Sequence, residues 1–240
     1  IKRIMSEYFR PIINSDPTIP SNASVLQGTQ FWFTHAEKLT RHSEPEIVLA
    51  KNIPEDIFHN ITDKRPKICG LSFDIPRIMG ILNVTPDSFS DGGRYSTLEA
   101  ATEHCISMVS AGADIIDIGG ESTRPGALEV ETSEEISRVV PVIEKISNKI
   151  SVPISADTRK SEVAKMAISS GAAMVNDISG LKFDSKMGDF CIRYNVPVCI
   201  MHSQGIPETR QNEPKYKDVC IGDTGHAEAV EIEFDSAVIT

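Results

Sequence analysis

The sequence predicts a parallel α/β barrel preceded by an N-terminal extension, and two observations carry this prediction. From residue 77 onward, short apolar runs alternate with helical patterns, and this alternation is typical of a parallel sheet. Each apolar run also ends in polar residues, which is how such a barrel presents chemistry at the carboxyl ends of its strands. We therefore expect a single pocket built from successive strand ends.

Composition narrows the possible functions. The chain has 240 residues, of which 40% are hydrophobic, and its formal net charge is −10. This acidity argues against nucleic acid as a partner, because nucleic-acid binding normally needs a basic face; local Arg and Lys can still bind an anion. No stretch approaches the length of a membrane span and no signal peptide is visible, so we expect no membrane association. Five scattered cysteines without a CxxC pair predict buried, reduced thiols in a cytoplasmic protein.

Residues 1–76 differ from the rest of the chain. They contain seven prolines and show little sustained periodicity. The segment FWFTH at residues 31–35 holds the only Trp and predicts a short strand. We interpret this region as an appendage that packs on or beside the main domain and has no chemistry of its own.

Five βα units are predicted from residue 77. Their strands are expected at residues 77–85, 113–120, 152–158, 173–179 and 196–202. Apolar residues at helical spacing, such as Leu98, Ala101 and Cys105, predict the helices between them. Thr132 and Glu135 have the spacing of a capping box at the start of one helix.

The first strand contains an unexpected polar residue. Its run IMGILNVT suits a fully buried strand, and Asn83 lies inside it. A carboxamide in such a strand costs a few kcal/mol if it has no partner. We therefore expect Asn83 to bond to a ligand, an ion or the neighbouring backbone, the last of which would be an ordinary structural role.

The other strands end in polar residues as well. These are Asp117 with Glu121, then Asp157, then Asn176 with Asp177, and finally His202. The Asp157 carboxylate could accept two adjacent donors of a planar heterocycle, or it could instead cap the next helix through Thr158 and Ser161. The Asn176 amide could both donate and accept at ring nitrogens and an exocyclic oxygen.

Two polar, glycine-bounded loops follow the first two strands. The second loop, GGESTRPG, holds Thr123 and Arg124, and the guanidinium fork can bind two oxygens of a phosphate or carboxylate. A pair between Arg124 and a surface acid is the alternative. In the first loop, Asp87 and Asp91 could balance positive charge on a substrate, pair with Arg124, or be solvated turn residues. A cation such as Mg²⁺ on the Asn83 oxygen could bridge to a substrate phosphate.

Several motifs, taken in order, resemble the dihydropteroate synthase family. They are IMGILNVTPDSFSDGG, GGESTRPG, PISADT, VNDIS and CIMH, and together they cover about residues 77–219. The resemblance implies a pterin-binding (β/α)8 barrel of the TIM type, represented here by about five βα units. An N-terminal extension at 1–76 would precede it and an atypical acidic tail at 220–240 would follow. The implied reaction joins 6-hydroxymethyl-7,8-dihydropterin diphosphate to 4-aminobenzoate, giving 7,8-dihydropteroate and pyrophosphate, with Mg²⁺.

The resemblance also implies roles for individual residues. Asp157 and Asn176 would hold the pterin, Met201 would line its slot, and Asn83 would bind Mg²⁺ or diphosphate. Thr123 and Arg124 would lie in the family's second mobile loop. Phe89 and Pro125 would flank the 4-aminobenzoate, where sulfonamides compete, and Asp91 and Arg124 would have catalytic roles. Loss of pyrophosphate would come first. This step requires a site that stabilises the charge on the leaving group and excludes water. No covalent nucleophile is needed.

The family's later motifs are expected after residue 219, and they are not found there. They are a DPG-FGFGK-type loop, an SRKS-type loop and an RxH near the end. We therefore expect an incomplete barrel, through truncation, a frameshift near Cys220 or an incomplete gene model, and no turnover by this chain itself. The resemblance implies a homodimer built largely on late helices. The alternatives are a non-catalytic pterin-binding remnant and, less favoured, a pterin-dependent methyltransferase on the same barrel.

Overall fold

The computed structural model describes residues 7–40, 43–84, 98–122 and 128–201, and the chain divides into two compact units. The first unit contains the described residues up to Pro76, and the second contains those from Arg77 onward. No helix within these ranges is long and apolar enough to cross a membrane.

The first unit consists mostly of strands, although its sequence shows little periodicity. The strands are β1 (Glu7–Pro11), β2 (Ser24–Val25), β3 (Trp32–Phe33), β4 (His35–Thr40) and β5 (Glu46–Leu49), and one helix, α1 (Glu55–Thr62), follows a 3-10 turn at Ala50–Asn52. An antiparallel sheet has the order β1-β4-β5, and β2 pairs antiparallel with β3. Phe33 is fully buried at the centre of this unit, where Ile57 and Phe58 of α1 pack against its core. The strand predicted at FWFTH is therefore present.

The second unit confirms the predicted α/β fold. Its strands are β6 (Met79–Asn83), β7 (Ile115–Gly119), β8 (Ile154–Asp157), β9 (Met174–Asp177) and β10 (Val198–Ile200). Its helices are α2 (Leu98–Ser110), α3 (Thr132–Ser147), α4 (Ser161–Ser169) and α5 (Met187–Tyr194). All five strands are parallel and pair in sequence order, from β6 to β10. This is the arrangement of successive βα units in a barrel wall.

The core of the second unit lies between the sheet and its helices. Ile116 and Ile118 of β7 pack there with Ile143 and Ile146 of α3, and all four are fully buried. A second cluster joins Val175 of β9 to residues of α4 and α5. Since side chains alternate along a strand, the remaining positions face the other side of the sheet.

Strand β6 differs from the fully buried strand predicted for it. Leu82 is 7% exposed, whereas Ile78 and Ile81 are 61% and 60% exposed. In the described residues β6 is the last strand of the sheet. Ile78 precedes this strand, and Ile81 lies on the face opposite Leu82, away from the core. Asn83 is exposed too. The expectation that burial obliges Asn83 to find a partner was therefore wrong.

The described cysteines are free thiols, but they are not all buried as predicted. Cys105 and Cys191 are buried, and desolvation raises the pKa of each to about 11. Cys69 is partly buried and Cys199 is exposed. Cys220 lies outside the described residues.

Candidate functional site

One row of paired residues crosses the carboxyl ends of the parallel strands. The pairs, in order across the sheet, are Asn83 with Gly119, Gly119 with Asp157, Asp157 with Asn176, and Asn176 with Cys199. Residues in register share a face of the sheet. Their chain neighbours Ile118 and Ala156 are in the core, so this polar row lies on the face turned away from the helices. It brings together Asn83, Asp157 and Asn176, as the sequence predicts.

Gly119 provides the space that Asp157 occupies. A Cβ atom at Gly119 would lie 3.0 Å from Asp157 Oδ2 and 3.4 Å from Asp157 Cβ. Next to it, a Cβ atom at Gly120 would lie 2.7 Å from Val139 Cγ2. The two glycines of GGESTRPG therefore have separate roles, the first at the site and the second in the packing of α3.

Asp157 is the acidic group at the centre of the polar row. Burial, together with the smaller effect of the nearby carboxylates of Asp117, Glu135, Asp177 and Glu121, raises its pKa to about 7. Its carboxyl group has no hydrogen-bond partner in the part of the chain that the structure describes. A carboxyl group with this pKa can accept hydrogen bonds as an anion or donate one when protonated, and such groups are typical of binding and catalytic sites.

The alternative role for Asp157, as a cap of the next helix, was wrong. Helix α4 begins at Ser161, and the backbone N–H of Ser161 donates to Asp184 Oδ2 at 2.8 Å. Asp184 comes from the loop after β9, which is too distant in sequence for a local pattern to reveal. Asp157 is therefore left available for a ligand.

The side chain of Asn176 is hydrogen-bonded to a buried aspartate, Asp117. Its Nδ2 donates to Asp117 Oδ2 at 2.9 Å, and Asp117 is 3% exposed. Burial raises the pKa of Asp117, while the Ser155 hydroxyl and the Asn176 amide partly counter this effect. Within the described residues, neither Asp117 Oδ1 nor Ser155 Oγ has a partner of good hydrogen-bond geometry.

Two of the predicted strand-end acids do not belong to the polar row. Asp177 is fully buried, and its carboxylate accepts the backbone N–H groups of Ser179 at 2.7 Å and Leu181 at 3.1 Å. It therefore shapes the turn after β9. Glu121 is buried as well, and it joins a cluster of charged side chains beside the row.

This buried ion cluster contains two acids and two bases, which are Glu121, Glu135, Arg159 and Lys160. Lys160 Nζ donates to Glu135 Oε2 at 2.7 Å and to Glu121 Oε2 at 3.2 Å, and Arg159 donates to Glu121 Oε1 at 3.0 Å. The capping box expected from Thr132 and Glu135 was wrong, because the N-cap of α3 is Glu131, without a side-chain bond, and Glu135 binds Lys160 instead. Sequence reasoning missed this cluster.

The ion cluster also fixes the backbone before α3. The N–H of Val130 donates to Glu121 Oε1 at 3.0 Å, and Lys160 Nζ donates to the carbonyl of Val130 at 2.5 Å. Arg159 lies 4.2 Å above the ring of Phe183, at cation–π distance. The cluster therefore joins the end of β7, the approach to α3 and the start of α4 in one buried contact.

The remaining predicted site residues fall into two groups. Met201, 38% exposed, directly follows β10, and its N–H donates to the carbonyl of Asp177 at 3.2 Å. By alternation it lies on the face of Cys199 and Asn176. The others lie outside the described residues: Asp87, Phe89, Asp91, Thr123, Arg124, Pro125 and His202.

Asn83, the predicted metal ligand, lies in the described part of the chain. Its carboxamide is exposed and has no hydrogen-bond partner there. Those residues also contain no group of three or more His, Cys, Asp or Glu that could hold a metal ion. A single neutral oxygen does not make a closed structural site. It does fit an ion such as Mg²⁺, which keeps several waters and takes other oxygens from a substrate phosphate.

Comparison with known families gives a match over most of the second unit. Residues 79–237 match the family described as pterin binding enzyme. The match includes all five parallel strands and extends past residue 219, where the motifs quoted from the sequence end.

Curated relatives are about 50% identical to this chain over the aligned residues. The dihydropteroate synthase of Bacillus subtilis is 54% identical over 136 residues, which are 57% of this chain and 47% of the relative. That of Escherichia coli is 51% identical over 152 residues, which are 62% of this chain and 54% of the relative. The chain therefore spans about half the length of these curated relatives.

Solved structures agree with this comparison. A Yersinia pestis dihydropteroate synthase in a sulfonamide drug complex has a TM-score of 0.58 and 46% identity, covering 64% of this chain and 56% of that one. The Xanthomonas albilineans enzyme with 4-aminobenzoic acid has a TM-score of 0.55 and 47% identity, covering 63% and 54%. The same enzyme in complex with 7,8-dihydropteroate has a TM-score of 0.52 and 43% identity, covering 62% and 51%.

Proposed function

Because the chain belongs to the pterin-binding enzyme family, we propose that it functions as a dihydropteroate synthase whose polar row is the pterin site. The observation that carries this proposal is the pairing of Asp157 with Asn176 on the open face of the sheet. Identity of 51–54% to enzymes of that name supports it. So does the similarity to a structure that holds 7,8-dihydropteroate.

The polar row suits one edge of a reduced pterin. The Asp157 carboxylate can accept two adjacent N–H groups, as an aminopyrimidinone ring offers them. The Asn176 amide lies beside it in register and supplies a further polar contact. Binding a planar heterocycle at these two positions would supply hydrogen bonds to a partly buried carboxyl group that has no partner among the described residues, which favours binding.

The proposed reaction forms one bond and breaks one. The nitrogen of 4-aminobenzoate bonds to the methylene carbon of the dihydropterin, and the bond from that carbon to the diphosphate oxygen breaks. Pyrophosphate leaves with the electron pair, and the arylamine loses a proton. Enzymes speed such a reaction chiefly by stabilising the leaving-group charge and excluding water.

Mg²⁺ is the proposed cofactor. Asn83 would hold the ion through its carboxamide oxygen, and the ion supplies charge neutralisation for the diphosphate when bound. Further roles are proposed for residues outside the described ranges: Thr123 and Arg124 toward the diphosphate, Phe89 and Pro125 toward 4-aminobenzoate, and Asp91 with Arg124 in catalysis. Because sulfonamides resemble 4-aminobenzoate, we propose that they compete for its place. The sulfonamide drug complex of the Yersinia pestis enzyme supports this part of the proposal.

Formation of 7,8-dihydropteroate by the purified chain tests the proposed function. The assay supplies 4-aminobenzoate, the dihydropterin diphosphate and Mg²⁺, and it measures both products. Asp157→Asn should abolish product formation, whereas Asp189→Asn, on the exposed surface of α5, should leave it unchanged. Pterin binding without product would instead support the alternative, a non-catalytic pterin-binding protein. A folded chain with neither activity nor pterin binding would contradict both.

A further inference from the structure

Asp117 is a buried carboxylate that no described basic side chain pairs with. It is 3% exposed, and among the described residues its one bond of good geometry comes from Asn176 Nδ2. A buried carboxylate in such a position costs folding free energy, because water solvates the anion better than one amide does. Its place in the middle of β7 therefore calls for an explanation other than stability.

Two other aspartates of the second unit do have stabilising contacts. Asp177 accepts two backbone N–H groups of the turn after β9. Asp114 pairs with Arg77 at 3.1 Å and accepts the N–H of Ile78 at 2.9 Å. Hydrogen bonds and opposite charges of this kind offset the free-energy cost of removing a carboxylate from water. Asp117 lacks these contacts in the described structure, and its partner Asn176 belongs to the polar row.

The bond to Asp117 fixes the orientation of the Asn176 amide. An ionised carboxylate only accepts hydrogen bonds, so the amide group must present its nitrogen to Asp117. The amide oxygen, Oδ1, then points the other way, and none of the described residues donates to it. A free asparagine amide could turn over and offer either atom to a ligand, whereas this one offers an acceptor.

We propose that Asp117 is a positioning residue, which holds the Asn176 amide with its oxygen toward the ligand and so makes the polar row select ligands that donate an N–H group there. This inference rests on the proposed function, since it concerns the same pterin site. Asp157 lies beside Asn176 in register and accepts hydrogen bonds when it is ionised. Asp157 and Asn176 then both bind ligand groups that donate a hydrogen bond. A site built in this way discriminates against an isosteric ligand that lacks the donor, because a partly buried acceptor is then left unpaired.

A coupling experiment separates this role from a structural one. The probe is 6-hydroxymethylpterin, and its dissociation constant is measured by calorimetry for four proteins: the unaltered chain, Asp117→Asn, Asn176→Ala and the double variant. Asp117→Asn keeps the shape of the side chain but lets either amide turn over. We expect it to weaken binding about 3- to 10-fold, as for a misoriented hydrogen bond. In the Asn176→Ala background the same substitution should change affinity less than about twofold, since the group it positions is gone.

Thermal unfolding without ligand gives an independent readout. Asp117→Asn removes a costly buried charge, so its melting temperature should stay the same or rise while affinity falls. The matched control is Asp177→Asn, which weakens the turn bonds and should lower the melting temperature.

Three results would overturn the inference. They are an unchanged affinity in Asp117→Asn, an equal loss of affinity in both backgrounds, and a lower melting temperature in Asp117→Asn. If the folded, unaltered chain does not bind the pterin at all, the proposed function fails first and this inference fails with it. Binding by the unaltered chain with any of the three results leaves the proposed function standing and removes only the role of Asp117.

Discussion

Gly119 lies opposite Asp157 in the neighbouring strand, and the missing side chain at Gly119 leaves the space that the Asp157 carboxylate occupies. A Cβ atom there would come within 3.0 Å of Asp157 Oδ2. Contacts this short force one of the two groups to move. The position of the central acid in the polar row therefore depends on a glycine two strand positions after Asp117.

The substitution Gly119→Ala should displace Asp157 and destabilise the fold. Overpacking of this kind costs about 1–3 kcal/mol, and urea unfolding measures it. The control is Gly188→Ala in α5, where the added methyl group would meet only Leu181 Cδ1 at 3.8 Å. That change should be neutral or stabilise the helix by up to about 1 kcal/mol. Equal unfolding free energies for the two variants would contradict the account of Gly119.

Asp157 should make the stability of the chain depend on pH. Its pKa in the folded protein is about 7, above the usual 3.8, so the folded state holds this proton where the unfolded state has released it. Its contribution to stability therefore falls as pH rises from about 4 to about 7, by at most about 4 kcal/mol, and is constant above that. Asp157→Asn should remove this dependence.

Urea unfolding at pH 4.5 and pH 8, conditions on either side of this transition, provides the check. Asp157→Asn should be more stable than the unaltered chain at the higher pH and nearly equal to it at the lower pH. The exposed Asp189→Asn variant should follow the unaltered chain at both. If Asp157→Asn also follows it at both, the raised pKa is wrong.

Lys160 should be essential to the buried ion cluster. Lys160→Met leaves Glu121 and Glu135 buried without their shared cation, and breaking a buried pair in this way costs about 3–5 kcal/mol. The same substitution at Lys145, which pairs with the exposed Glu99, should cost less than about 1 kcal/mol. Denaturant unfolding compares the two, and similar losses for both lysines would refute the distinction.

Cys199 should report occupation of the polar row. It is exposed and lies next to Asn176 in register, so a bound pterin should slow its alkylation by iodoacetamide. Cys69, in the first unit, should react at the same rate with and without the pterin. Cys105 and Cys191 should be slow throughout, because they are buried and their high pKa leaves little thiolate. Mass spectrometry of the labelled peptides resolves each site. An unprotected Cys199 under saturating pterin would place the ligand elsewhere.

The sequence predicts the parallel sheet well because its signals are local. Each apolar run from Met79 to Ile200 ends in polar residues and is followed or preceded by a helical stripe, and every one of the five forms a strand. Because all are parallel, their ends meet at one edge, and this alone places Asp157 beside Asn176.

What the sequence does not predict depends on contacts between distant residues. Asn83 is exposed at the carboxyl end of β6, an edge strand of the described sheet, and no property of the strand itself reveals this exposure. Glu135 has the right spacing for a capping box, yet a buried lysine 25 residues later attracts it. The two-residue strands of the first unit, such as Trp32–Phe33, are too short to show a period.

The central claim is that Asp157 and Asn176 form a pterin site, and a calorimetric titration with 6-hydroxymethylpterin tests it most directly. The unaltered chain should bind the pterin. Asp157→Asn should weaken binding about 10- to 100-fold, as expected for a hydrogen bond to a charged group, and Asp189→Asn should not change it. A folded chain that binds no pterin, or binds it equally well after Asp157→Asn, would contradict the claim.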